Sequence, residues 1–191
     1  SADWSKTNKA FKIDIGQFKT DPNKGFWGRA WELTSRFTWQ APQNFIGYNA
    51  SGLHNLFGGV KSVSYYGGAT VVESYSDNWG AVTLGSYING QRGITADPNN
   101  WLFQHEYGHY IQSQSSGWFY LSKYGIPSAL STGDHDLHPA EQDANVRALR
   151  YFHKNISGYN GWQFGYNPIE GYDETKSYDN PTNQDALNNG H

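Results

Sequence analysis

The segment His105-Glu106-Tyr107-Gly108-His109 constrains this chain more than any other. Two imidazoles four residues apart can act together only on a helix. There, four residues advance about 400° and about 6 Å, so both rings project from one face, one turn apart. Glu106 then lies about 100° round from His105, beside whatever the two rings hold rather than on it. The flanks agree with a helix. Asp97-Pro98 offers an N-cap ahead of a proline at the first helical position, and Gly117 offers a stop. A helix over 98–115 is therefore the element around which the fold must be arranged.

Composition narrows what that helix can serve. With no Cys in 191 residues there is no disulfide framework and no thiolate site, so any metal must be held by His and carboxylate. The length argues for a single domain. Charged residues make up 16%, against about 25% in an ordinary soluble chain. Aromatics make up 17%, the opposite of a disordered composition. The mean hydropathy of −0.76 thus comes from Asn, Ser, Gly and Tyr rather than from charge. A net charge of −3 without a basic run gives no footprint for nucleic acid. No apolar run is long enough for a helical membrane span, and no collagen, heptad or solenoid period is present. The chain contains no Met and begins Ser1-Ala2, which reads as a processed product or a piece of a longer parent chain.

The patterning predicts an α+β fold. Residues 1–25 read as an N-terminal extension, with a short strand at 11–15. Phe26, Trp27, Ala30, Trp31, Thr34 and Phe37 recur at helical spacing, so 26–37 reads as an amphipathic helix with its Trp stripe in the core and Pro42 closing the segment. From 45 to 92, Gly-rich turns separate short runs rich in Val, Tyr and Thr. Strands are expected at Val60–Tyr66, 69–75 and 81–88. A short helix is expected at 118–124 and another from Pro139 to about residue 154. Residues 157–191 read as an irregular tail.

A metal on His105 and His109 needs a third protein ligand. The extended motif H-E-x-x-H-x-x-G-x-x-H would require Gly and His where Gln112 and Ser115 stand, so it does not apply. Among later carboxylates, Glu141, Glu170 and Glu174, the first has the best context. It falls in the first turn of the helix starting at Pro139, with Asn145 one turn further on the same face. Such a pair can place one group on the metal and give the other to a ligand imidazole as a hydrogen-bond partner. His135 and His138 lie just upstream and compete for the same role. Asp134-x-Asp136 lacks the rest of a calcium loop. No phosphate loop and no nucleophilic serine elbow is present, so metal-activated water is the only nucleophile the sequence offers.

His105-Glu106-x-x-His109 followed by Glu141-x-x-x-Asn145 resembles the gluzincin branch of zinc metallopeptidases, in which thermolysin-like enzymes carry Glu-x-x-x-Asp. Asn145 departs from that pattern. The stretches Ser35–Trp39, 97–114 and 141–145 are also similar to metallopeptidase-like domains at the C-terminal end of bacterial RHS/YD-repeat surface or toxin proteins, a likeness spanning about 34–153. The resemblance implies a zincin-like twisted mixed sheet on the active-site helix with a helical C-terminal part. It also implies Zn²⁺ as cofactor, a peptide or protein substrate and a secreted or cell-surface bacterial location. The expected state is a monomer. Glu106 would be the general base, and the edge strand within 82–87 would pair with the substrate. Oxyanion donors on offer are Tyr120, Tyr124, Tyr172, His135 and His138, with a His upstream of Glu141 preferred. The competing reading is a non-catalytic glycan- or protein-binding module in which zinc is structural. Glu106 separates the two, since a structural site has no use for a carboxylate beside the metal.

Overall fold

The strands form where β-branched and aromatic residues alternate between glycine turns. β1 (Val60–Tyr66) and β2 (Ala69–Ser74) are joined by Gly67-Gly68, whose φ values of +49° and +87° are those a tight hairpin turn requires. The region expected as one strand at 81–88 is two, β3 (Ala81–Leu84) and β4 (Tyr87–Gly90), because Gly85 (φ +63°) reverses the chain. The computed structural model describes residues 3–122 and 138–189. Among these residues it is a mixed α+β fold with one four-stranded sheet in the order β1-β2-β4-β3. β2 pairs antiparallel with β1 and parallel with β4, while β3 pairs antiparallel with β4 and forms an edge.

Helices cover both faces of the sheet. On one face, Ala69, Val71 and Ile88 pack against Leu102, Phe103 and Tyr107 of α4 (Trp101–Ser116) and Leu149 and Phe152 of α5 (Pro139–Asn155). On the other, Val72 and Tyr87 meet Val60, Val63 and Ile13 of α1 (Trp4–Gly16). β2 is buried along its whole length, as a strand covered on both faces must be.

Several expectations need correction. The 11–15 segment is helical, not extended: Asp3 caps α1 through the amides of Ser5 and Lys6, and only Ile13 of its apolar residues turns inward fully. Within residues 1–25, α1 packs on the sheet: Ile13 and Gly16 are buried and Gly16 lies directly on Thr70 of β2. Pro42 does not close α2 (Phe26–Phe37) but opens α3 (Ala41–Leu56), where the first turn tolerates it. α3 lay hidden because Gly47, Gly52 and several Asn mask its periodicity. Gly47 is required there, since a Cβ would stand 2.3 Å from the Leu84 carbonyl oxygen. α4 starts three residues later than expected, because Asp97–Asn100 forms a turn and Asn100 caps the Phe103 amide. After α4 comes a 3₁₀ turn, Gly117–Phe119; positions 123 and 124 of the expected 118–124 helix lie outside the described residues. The tail is not irregular throughout. It contributes buried Trp162, Ile169 and Leu187 and a last helix, α6 (Pro181–Asn189).

The largest departure concerns α2. The helix is where it was expected, but its Trp stripe is not core. Trp27 is 82% and Trp31 60% exposed, and the buried face carries Glu32, Ser35 and Arg36. Glu32 and Arg36 pair there, and Glu32 also accepts from the Asp21 amide and the Tyr110 hydroxyl. Arg36 donates to the carbonyls of Gly16, Gln17 and Gly68, tying three elements together. A buried ion pair held by this many long-range partners must face inward, and helical geometry then turns the Trp residues out.

Candidate metal centre

α4 and α5 approach unusually closely. Gly108, inside the motif, lies against the backbone of Ala144: a Cβ there would be 2.1 Å from the Ala144 carbonyl oxygen. This contact brings His105 and His109 of α4 up to Glu141 in the first turn of α5. Their ligand atoms lie within 4.8 Å of one another, the one such group among the described residues. Glu141 Oε2 is 2.9 Å from His105 Nε2 and 3.1 Å from His109 Nε2, and the two Nε2 atoms are 3.2 Å apart. Ligands about 2.0–2.1 Å from a tetrahedral zinc stand about 3.3–3.4 Å from each other. The donor set and its spacing therefore fit Zn²⁺ to within a few tenths of an ångström.

Both rings are oriented by amides. Asn145 Nδ2 donates to the Pro168 carbonyl at 3.0 Å, which leaves its Oδ1 to accept from His105 Nδ1 at 2.9 Å. Gln112 Nε2 donates to the Ala140 carbonyl and to Asp143 Oδ2, both at 2.8 Å, leaving Oε1 to accept from His109 Nδ1 at 2.8 Å. Each network places a proton on Nδ1 and turns Nε2 toward Glu141, leaving Nε2 as the atom a metal would take. Arg147 anchors Asp143 in turn, at 2.7 Å. Asn145 thus does with an amide what a carboxylate would do. Gln112, considered in the sequence only as a failed ligand position, is its counterpart for His109; the signal was its spacing of three residues, which puts it on the same face.

Without a metal the three groups pair electrostatically. Burial alone would lower the His105 pKa, but its hydrogen bond to Glu141 and the charges of Glu106 and Glu141 outweigh that and raise it to about 9. Burial would likewise raise Glu141, yet the hydrogen bonds from His105 and His109 hold it far below the usual carboxylate range. The His105 side chain is 22% exposed while those of His109 and Glu141 are 10% and 6%, so the centre meets solvent on the His105 side.

Glu106 is buried beside this group and outside it. Thr83 of edge strand β3 donates its hydroxyl to Glu106 Oε2 at 2.6 Å and lies 3.1 Å from the Glu106 carbonyl. Tyr120 donates to the Thr83 carbonyl at 3.2 Å. Burial, followed by the negative charges of Glu106 and Glu141, raises the Tyr120 pKa and keeps the phenol protonated. Thr83 carried no recognisable signal in the sequence, because only the packing of β3 on α4 brings it to Glu106.

The other expected site residues fall elsewhere. His138 caps α5, its Nδ1 accepting from the Ala140 amide at 3.2 Å, and is not in the three-residue group. Glu170 and Glu174 are also outside it, and Tyr172 stacks on Phe164 in the C-terminal aromatic cluster. His135 and Tyr124 lie outside the described residues. Of the 82–87 segment, residues 82–84 are on the edge strand, whereas Tyr87 lies on β4, hydrogen-bonded on both sides. No protein-family model, curated protein or solved structure matches the chain.

Proposed function

We propose that this chain is a zinc-dependent metallopeptidase domain of zincin type. One arrangement carries the reading: two imidazoles and a carboxylate at zinc-ligand spacing, with a separate buried carboxylate, Glu106, beside them. Three protein ligands rather than four, among the described residues, leave a coordination position for water or substrate. A closed structural site would not have one. The glycan- or protein-binding alternative gives no role to Glu106 or to the threonine that holds it.

Zinc held by His105, His109 and Glu141 would supply Lewis acidity and lower the pKa of a water toward about 7. The protein groups do the rest. Glu106 accepts the proton of the attacking water and passes it to the leaving amine. Thr83 engages Oε2, so Oε1 is the atom that handles the proton. β3 (Ala81–Leu84) is an edge with Val82 43% exposed, and an extended peptide adds to it as a further strand. Tyr120, a protonated donor next to Glu106 and Glu141, braces that strand from within. The test is Glu106→Gln. Zinc content should stay near one per chain while cleavage of an unfolded protein substrate disappears. Cleavage at the wild-type rate would end the general-base assignment.

A further inference from the structure

The amino-terminal third of the molecule is polarised the wrong way round for a water-facing layer. On α2, Trp27 and Trp31 point out while Glu32, Ser35 and Arg36 point in. α3 repeats the pattern: Gln43, Asn44, Ser51 and Asn55 are buried, and Phe45, Leu53 and Phe57, spaced four or eight apart, are exposed. Along α1 and its continuation, Trp4, Phe11 and Phe18 recur every seven residues and are all exposed. The three helices pack on one another, α1 and α2 each against α3, and the Phe18 and Phe37 rings lie 6.3 Å apart where α1 and α2 meet. Scattered exposed apolar residues need no explanation; an apolar outer stripe on three adjoining helices does.

We infer that this outer face of α1–α3 seats the protein on an anionic membrane surface, with its aromatic side chains in the headgroup region. Two observations favour lipid over a protein partner. First, the apolar groups stand out singly and far, Trp4 at 79%, Trp27 at 82% and Phe57 at 83% exposed. A deformable lipid interface accepts such projections one by one, whereas a protein surface needs a matching pocket for each. Second, the charge that reaches solvent here is mostly positive. Lys6, Lys12, Lys19 and Arg29 stand against Asp3 and Asp14, while Asp21 and Glu32 are buried, Lys24 and Arg36 engage Glu32, and Lys9 donates to the Val60 carbonyl at 2.7 Å. Lys12 and Lys19 directly follow Phe11 and Phe18, on the shoulder of the stripe. Trp and Phe bordered by Lys is the composition of interfacial helices that lie in the plane of a bilayer. No described helix is long and apolar enough to cross one. The metal ligands stand on α4 and α5 and none belongs to α1–α3, whose inner side, not the outer one, meets α4 through Glu32 and Tyr110.

The experiment is co-sedimentation of the full chain with vesicles of equal parts phosphatidylglycerol and phosphatidylcholine, and with phosphatidylcholine alone. The wild type should pellet with the anionic vesicles, shift its Trp emission to the blue, and release as salt is raised. Trp27→Ser combined with Phe57→Ser should lower the partition coefficient at least about tenfold. Both positions are surface-exposed, so far-UV circular dichroism and zinc binding should stay as in the wild type and certify the fold. A wild type that stays in the supernatant with both vesicles overturns the inference. So does a double variant that binds as the wild type does, or a lipid-free dimer that the same substitutions dissociate; the last would reassign the face to contact between copies.

Discussion

Gly108→Ala tests the geometry of the metal centre without touching a ligand. In a helix exposed to solvent this change would be stabilising, by about 1 kcal/mol, because alanine loses less backbone entropy. Here the added methyl meets the Ala144 backbone at 2.1 Å from the carbonyl oxygen and 2.8 Å from the Cα, where ordinary contact begins near 3.4 Å. Neither atom belongs to a flexible side chain, so α4 and α5 must separate by up to about 1.3 Å, the difference between 3.4 and 2.1 Å. His109 Nε2 and Glu141 Oε2 stand 3.1 Å apart on those same helices. A zinc site tolerates only about 0.2 Å per bond, so part of that displacement is enough to cost a ligand. The expected result is a loss of about 1–3 kcal/mol in urea unfolding with chelator present, from overpacking. Zinc affinity, measured by competition with a chromophoric chelator, should fall at least about tenfold, or about 1.4 kcal/mol. A variant as stable as the wild type, binding zinc within about twofold, would refute the close contact between helices on which the centre depends.

Three further outcomes follow from the same geometry. Glu141→Ala should weaken zinc binding at least tenfold, and Asn145→Ala, which frees the His105 ring and the Pro168 carbonyl, by about 10–100-fold at most; elemental analysis after dialysis ranks the two, and unchanged affinity in Glu141→Ala would return the third-ligand role to His135 or His138. Thr83→Val should leave zinc affinity unaltered while lowering kcat about tenfold or more, with Thr83→Ser restoring it; a change confined to KM would make Thr83 a substrate contact instead. In the metal-free protein, His105 is raised from 6.5 to about 9, so the stability it contributes is fully present below pH 6.5 and lost as pH rises through 9. Urea unfolding with chelator should show a decline of about 1–3 kcal/mol across that window, absent in Glu141→Ala; stability that stays flat or rises would contradict the pairing.

Much of the centre was legible in the chain because its parts are local. His105, Glu106 and His109 share one helix, and Glu141 and Asn145 share another, so a periodicity of 3.6 residues ordered each set without tertiary information. The hairpin β1–β2 was equally plain, its paired glycines bracketed by β-branched runs. The joining of the two sets was not legible. It depends on Gly108 meeting Ala144, and Thr83 reaches Glu106 only because β3 turned back at Gly85 to become an edge over α4.

The amphipathic helices show the other limit. Hydrophobic spacing in α2 identified a helix correctly and oriented it wrongly, since periodicity reports which residues share a face but not which side that face takes. What decided the side was a set of long-range polar contacts: Glu32 to Tyr110 and Asp21, and Arg36 to the carbonyls of Gly16 and Gly68. Burying a charge is costly unless it is paired and hydrogen-bonded, and the partners here come from α1, the segment after it, α4 and the β1–β2 turn. Local sequence thus determined the helices, the hairpin and the ligand types. Tertiary structure decided which faces turned inward and how close the ligands came, because both depend on contacts between residues distant in the chain.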